Sequence, residues 1–267
     1  MPVGYSIYQD RPSPVHTRLD PRTKLACMVT VFALALAFNH PLVLGALMAA
    51  VLVVGIWSQL AIRSFAPFLA SAAWFIVLGI LIWPFYIQQG ATVLHVGGVR
   101  FTSSGVLFGL AMGLRVGLMV TAAGVWMMTT SPQKMTLGLM RMGLPYKAGM
   151  AMSTAIRFVP LINGERLTIM EAQRARGLDL TRGNPLSRAV RYVAVIGPML
   201  VRALDIAQAL AIAMDARAFG VRNARTSIIE IGIGPVDRLV LAGCAVAVAV
   251  ALALRFLGIG LIARNYL

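Results

Sequence analysis

Residues 25–62 read LACMVTVFALALAFNHPLVLGALMAAVLVVGIWSQLAI and residues 64–99 read SFAPFLASAAWFIVLGILIWPFYIQQGATVLHVGGV, with Arg63 between them. Neither stretch contains Asp, Glu, Lys or Arg. Each exceeds the ~20 apolar residues that carry a helix across a bilayer. In a water-soluble domain roughly a quarter of the residues are charged; here 12% are, and 59% are hydrophobic. The chain reads as an all-α polytopic membrane protein.

Working outward, Asn39-His40-Pro41 divides the first stretch into two runs, Leu25 to Phe38 and Leu42 to Trp57. Each falls short of a full span, so a tilted hairpin or a locally thinned bilayer is expected. A third span covers about Phe65 to Ile87, with Pro67 and Pro84 near its ends. Residues 88–104 are a connection rich in Gly and polar residues. A fourth span runs from about Gly105 to Met128, and a fifth from about Leu239 to Leu261. The organisation expected is an N-terminal arm at 1–24, a four-span region at 25–130, a long helical region at 131–226 and a C-terminal transmembrane helix at 236–262. The first 24 residues have mixed charge and four prolines but no early apolar core, so no cleavable signal is expected.

Lys and Arg concentrate on the cytoplasmic side of membrane proteins. The arm holds four, and 131–226 holds fourteen of the chain's 24, together with five of its nine acids. Four spans before residue 130 put both regions and Arg63 on one side, leaving Arg100 alone among the opposite loops. The arm and the long region are therefore expected in the cytoplasm. This distribution accounts for the net charge of +15 without nucleic acid, for which basic blocks interleaved with stacking aromatics are missing. Cys27 and Cys244 fall in apolar segments and read as packed thiols.

Thr129-Thr130-Ser131-Pro132 is a helix start, a hydroxyl cap before proline at the first helical position. Gly143-Leu144-Pro145 breaks that helix; a second runs through Pro160 to Arg176 and stops at Gly177. A third reaches Arg217 with Pro198 inside it. Its Arg202, Asp205, Gln208 and Asp215 share an arc of about 140°, which makes it amphipathic. Two arginines thus end two long helices, Arg176 after Ala175 and before Gly177, and Arg217 after Ala216. The macrodipole favours a cation there by ~0.3–1 kcal/mol, but small flanking residues also let a helix end enter a groove. The guanidinium fork then pairs bidentately with a carboxylate. Arg115 interrupts the fourth span and has two readings: a contact with a partner or pathway, or a tie to backbone carbonyls.

No phosphate-cradling loop ending in Lys and Ser or Thr is present, so the chain is not expected to bind ATP by itself. No His or Cys pair has metal-ligand spacing, and Glu165 and Glu171 sit among arginines as ordinary ion-pair partners. No catalytic residue, metal site or cofactor is expected. Two helix-end arginines and no nucleotide site suggest a pair of ATPase subunits as receptors.

In the order and spacing of these segments the chain resembles the transmembrane (T) component of energy-coupling factor transporters, ABC-type importers of vitamins and transition-metal ions. The segments are Leu19-Asp20-Pro21-Arg22-Thr23-Lys24 closing the His16 to Lys24 arm, Thr129 to Pro132, Arg157-Phe158-Val159-Pro160, Glu165 ahead of Ala172 to Gly177, Ala216-Arg217, and the basic Arg222 to Thr226 tail. The resemblance implies two Ala-Arg-Gly motifs at the tips of cytoplasmic coupling helices, each seated in a groove of one of two ABC ATPase subunits. Ala175, Arg176 and Gly177 match the first, and Ala216 and Arg217 the second. Ala218 stands where the family usually has Gly, so the second helix is expected to run on to Gly220. The resemblance further implies a small substrate-binding membrane subunit (S component) as partner, ATP hydrolysis outside this chain, and a place in the bacterial cytoplasmic membrane. A self-contained secondary transporter or channel is the rival reading, and a membrane scaffold the third.

Overall fold

The computed structural model describes residues 19–87, 92–96, 99–178, 184–221 and 232–256. Residues 16–18 of the arm, 181–183 of the turn between the long helices, the 222–226 tail and the end of the last span at 257–262 lie outside these. The described chain forms two compact units, 19–143 with 232–256, and 144–221.

In the first unit three helix starts follow from a side-chain cap. The Asp20 carboxylate accepts the Arg22 N–H at 2.9 Å and Pro21 takes the first helical position, so α1 (Pro21–Ala37) begins within the arm. His40 Nδ1 accepts the Leu42 N–H at 3.3 Å ahead of Pro41, which starts α2 (Pro41–Trp57). Asn39-His40-Pro41 is thus a stop followed at once by a start. Both helices have 17 residues, about 25 Å at 1.5 Å per residue, short of a ~30 Å hydrocarbon core as the sequence indicates. α3 (Ile62–Tyr86) and α4 (Ser103–Thr129) are full-length, and Ser131 caps the short α5 (Pro132–Arg141). The last helix is α8 (Pro235–Phe256). Ala35, Leu44, Val51, Ala111, Leu118 and Ala122 form the core between α1, α2 and α4.

Two features depart from the sequence reading. The 88–104 connection contains an antiparallel hairpin, β1 (Thr92–Val96) and β2 (Val99–Thr102), with Val96 opposite Val99 and His95 opposite Arg100. Thr102 Oγ1 donates to the Ile87 carbonyl at 2.7 Å and closes its base. In addition, α5 belongs to the membrane unit, because Gly138 lies against Pro21 at the start of α1. The second compact unit therefore begins at Leu144. It consists of α6 (Tyr146–Ala175) and α7 (Pro185–Ala216), each continuous through its internal proline. Among the described residues, four helical stretches are long and apolar enough to cross a membrane: Arg63–Tyr86, Ser103–Thr129, Arg188–Ala216 and Pro235–Phe256.

The tightest contact in the bundle is backbone on backbone. Gly105, Gly109, Gly113 and Gly117 repeat every four residues and turn one face of α4 into a bare groove. A Cβ on Gly109 would stand 2.3 Å from the Gly79 carbonyl oxygen, and one on Gly113 would stand 2.6 Å from the Ile76 Cα. Small residues at this spacing let membrane helices approach until dispersion replaces the missing hydrophobic drive. Gly109→Val should accordingly destabilise the protein by about 3 kcal/mol through overpacking, read by SDS unfolding in mixed micelles. Gly45→Ala, whose Cβ meets nothing within 4 Å, should not destabilise.

Candidate functional site

The two arginine-bearing helix ends have the same geometry. At the end of α6, Gly177 takes a left-handed φ of 87°; its N–H donates to the Arg174 carbonyl at 2.9 Å, and the Leu178 N–H donates to that of Gln173 at 3.0 Å. At the end of α7, Ala218 takes φ 53°; its N–H donates to Asp215 at 2.9 Å, and the Phe219 N–H donates to Met214 at 3.0 Å. Both are complete Schellman caps, with Arg176 and Arg217 at the identical C-cap position. The expectation that α7 continues to Gly220 is corrected: it stops at Ala216. Left-handed alanine costs roughly 1–2 kcal/mol, but the cap supplies two hydrogen bonds of ~0.5–1.5 kcal/mol each. Phe219 also packs on Tyr146, with ring centroids 6.0 Å apart. Ala175, Arg176, Ala216 and Arg217 are all exposed.

α6 and α7 run antiparallel. Arg202 Nε pairs with Glu165 Oε2 at 3.3 Å, Met170 is buried with Val195, and Gln173 Nε2 donates to the Ala194 carbonyl at 3.3 Å. With the Tyr146–Phe219 contact, the partners descend along α7 as they ascend along α6. The Arg176 tip therefore lies beside the start of α7, and the Arg217 tip beside the start of α6. Helices of 30 and 32 residues at 1.5 Å per residue hold these tips on the order of 40 Å apart. Each tip offers an exposed guanidinium over small side chains, suited to a carboxylate at the floor of a groove.

Arg115 is bonded within the bundle. Its Nε donates to the Ala35 carbonyl at 2.9 Å, and its Nη2 to the Phe38 carbonyl at 3.0 Å and to Asn39 Oδ1. Ending α1 in the membrane leaves its last carbonyls without amide partners, and the guanidinium supplies donors and a positive charge at the negative end of the helix dipole.

A second polar constellation escaped the sequence reading. Lys24, only 8% exposed, donates from Nζ to the Thr129 carbonyl at the end of α4, at 2.8 Å. Asp237, 1% exposed in the first turn of α8, accepts the Asp20 N–H and the Gly234 N–H, each at 2.9 Å. The Leu-Asp-Pro-Arg-Thr-Lys segment thereby ties the ends of three helices at one face of the bundle. The available signal was Asp237, an acid two residues after Pro235 and just ahead of an apolar run. Burial, with Lys134 nearby, lowers the Lys24 ammonium to about 8, although Asp237 and Asp20 act the other way. Among the described residues no group of three or more His, Cys, Asp or Glu could hold a metal ion.

The family of cobalt transport proteins CbiQ matches residues 12–228, a stretch that contains the second half of the arm, the four-span region and both arginine tips. The chain belongs to this family. It is similar to the energy-coupling factor transporter transmembrane protein EcfT of Acidaminococcus fermentans, 30% identical over 83% of this chain and 85% of the relative. The proteins of the same name from Bacillus selenitireducens, 28% identical over 92% and 94%, and Brevibacillus brevis, 30% identical over 76% and 79%, are also similar. This CbiQ-family chain is a multi-pass membrane protein and the transmembrane component of an energy-coupling factor transporter. Its α8, with Asp237, lies beyond the family match.

Replacing Ala218 by Gly should relieve the left-handed backbone and stabilise the α6–α7 unit by about 1 kcal/mol, and Gly177→Ala should destabilise it by a similar amount. Hydrogen exchange at the Phe219 and Leu178 amides reads both. For Lys24 the folded state binds its proton less tightly than the unfolded chain, so the unfolded state carries more protons between pH 8 and 10.5. Stability relative to Lys24→Met should therefore rise across that window and be flat below it, measured as the pH dependence of SDS unfolding for the two proteins.

Proposed function

We propose that the chain couples two ABC ATPase subunits to a small substrate-binding membrane subunit, in an importer of a vitamin or transition-metal ion. One observation carries this reading: two arginine caps of one geometry stand at opposite ends of a single antiparallel helix pair. Two equal tips about 40 Å apart suit two equal receptors better than one. Approach of the ATPases on binding ATP would move the ends of a stiff pair, and α6 and α7 would carry that motion to the membrane subunits. The relatives' name, energy-coupling factor transporter transmembrane protein, agrees with such a role.

The orientation proposed places the arm, α5, α6 and α7 in the cytoplasm of a bacterial inner-membrane protein. The Lys24 and Asp237 bonds support it, because they hold the starts of α1 and α8 and the end of α4 on one face. The long apolar α7 is then a helix on the membrane surface. Leu186, Val190, Val193, Leu200, Val201 and Leu204 are exposed on it, along with Arg188, Arg202, Asp205 and Asp215. A self-contained transporter drew its support from Arg115, and that side chain is engaged on the α1 carbonyls.

The double variant Arg176→Glu with Arg217→Glu should lose co-purification with the ATPases and lose uptake, while the purified chain unfolds at the same SDS fraction as the parent. Reversing one buried charge contact costs about 2–5 kcal/mol, so each single variant should weaken the complex by roughly 30- to 5,000-fold and keep some uptake through the other tip. Normal assembly and uptake by the double variant would overturn the reading.

A further inference from the structure

The two cysteines, 217 positions apart, meet: Cys27 Sγ on α1 and Cys244 Sγ on α8 are 3.6 Å apart, both free thiols and half-buried. The same offset of 217 recurs seven residues earlier, where the Asp20 N–H donates to Asp237 Oδ1. Seven residues later, Leu34 packs into the cluster that holds Ala251. A constant offset means that α1 and α8 run parallel, and steps of seven keep one face of each helix on the seam. Asp237 sets the register at the head of this pair, and the next position along it places thiol on thiol.

We propose that Cys27 and Cys244 are a redox modification site, oxidised to a disulfide that fastens α8 covalently to α1. The step takes two electrons. Both S–H bonds break and one S–S bond forms, while the two electrons and two protons pass to a lipid-soluble quinone, which leaves as the hydroquinone. Position selects this class of oxidant, since the seam lies inside the apolar segments that polar disulfides do not enter. The sulfurs need to close from 3.6 Å to about 2.05 Å. The product is neutral, as the thiols are, so no charge is placed in hydrocarbon. Besides the Asp237 bonds, α8 is held by non-covalent apolar contacts of Ala251 and Leu254 with Leu34, Ala37, Phe38 and Val43, so the bond converts a reversible attachment into a fixed one.

The test uses the full chain in liposomes, with a protease site inserted after Thr226 so that cleavage separates Cys27 from Cys244. The probe oxidant is duroquinone, whose fully substituted ring does not add thiols. After oxidation and cleavage the fragments should stay joined on a non-reducing gel and separate with dithiothreitol, and maleimide-reactive thiols should fall from two per chain to none. Cys27→Ser and Cys244→Ser should each abolish the joining. Cys27→Ser with Val29→Cys, which moves the thiol to an exposed position, should abolish it too. Two reactive thiols and separated fragments after duroquinone would overturn the proposal, as would equal joining through a cysteine at position 29.

Discussion

A helix that ends in or beside hydrocarbon leaves backbone amides and carbonyls that water cannot reach, and each such group must find a partner within the protein. This constraint organises the polar residues of the chain. Asp20, His40 and Ser131 serve the starts of α1, α2 and α5. Lys24 serves the end of α4, and Arg115 the end of α1. Charges are few in the first hundred residues, and the described helical ones, Arg22, Lys24 and Arg63, lie in the first turns of α1 and α3. The Asp20 to Lys24 segment matters most, because it attends to three helix ends at once and so fixes α1, α4 and α8 at a common level.

Between these tied ends the bundle is held by shape. Apolar side chains gain nothing by leaving lipid for one another, so close backbone approach has to supply the attraction. The α3–α4 contact does this with glycines every fourth residue. The hairpin joins α3 to α4, whereas α8 rests on α1.

The α6–α7 pair follows a different logic. Its core is thin, centred on Met170 and Val195, and its surface ion pair between Arg202 and Glu165 contributes little. What it keeps in order is its tips. A Schellman cap sets the direction in which the chain leaves the helix, and with it the direction in which the C-cap arginine points. That Ala218 accepts a left-handed conformation to preserve this cap, when a longer helix was open to it, indicates that tip geometry is held at a cost in backbone strain.

Hydropathy sufficed to establish an all-α membrane protein with long apolar helices near Phe65 to Ile87 and Gly105 to Met128, and local signals placed the paired arginines at helix ends, because burial in lipid and capping are local rules written in neighbouring residues. The stop at Arg176 was legible for the same reason, since Gly177 announces it. The stop at Arg217 was not: alanine prefers to continue a helix, and only the packing of Phe219 on Tyr146, brought together by the antiparallel fold, turns the balance. The Gly105 to Gly117 spacing was present in the sequence, but its meaning depends on which helix lies opposite. Lys24 on Thr129, Asp237 on Asp20, Arg115 on the end of α1 and Cys27 against Cys244 join residues between 77 and 217 positions apart. Nothing local specifies such pairs. They follow from α1 and α8 running parallel, and from α4 returning to the face where α1 begins, and only the tertiary structure decides that.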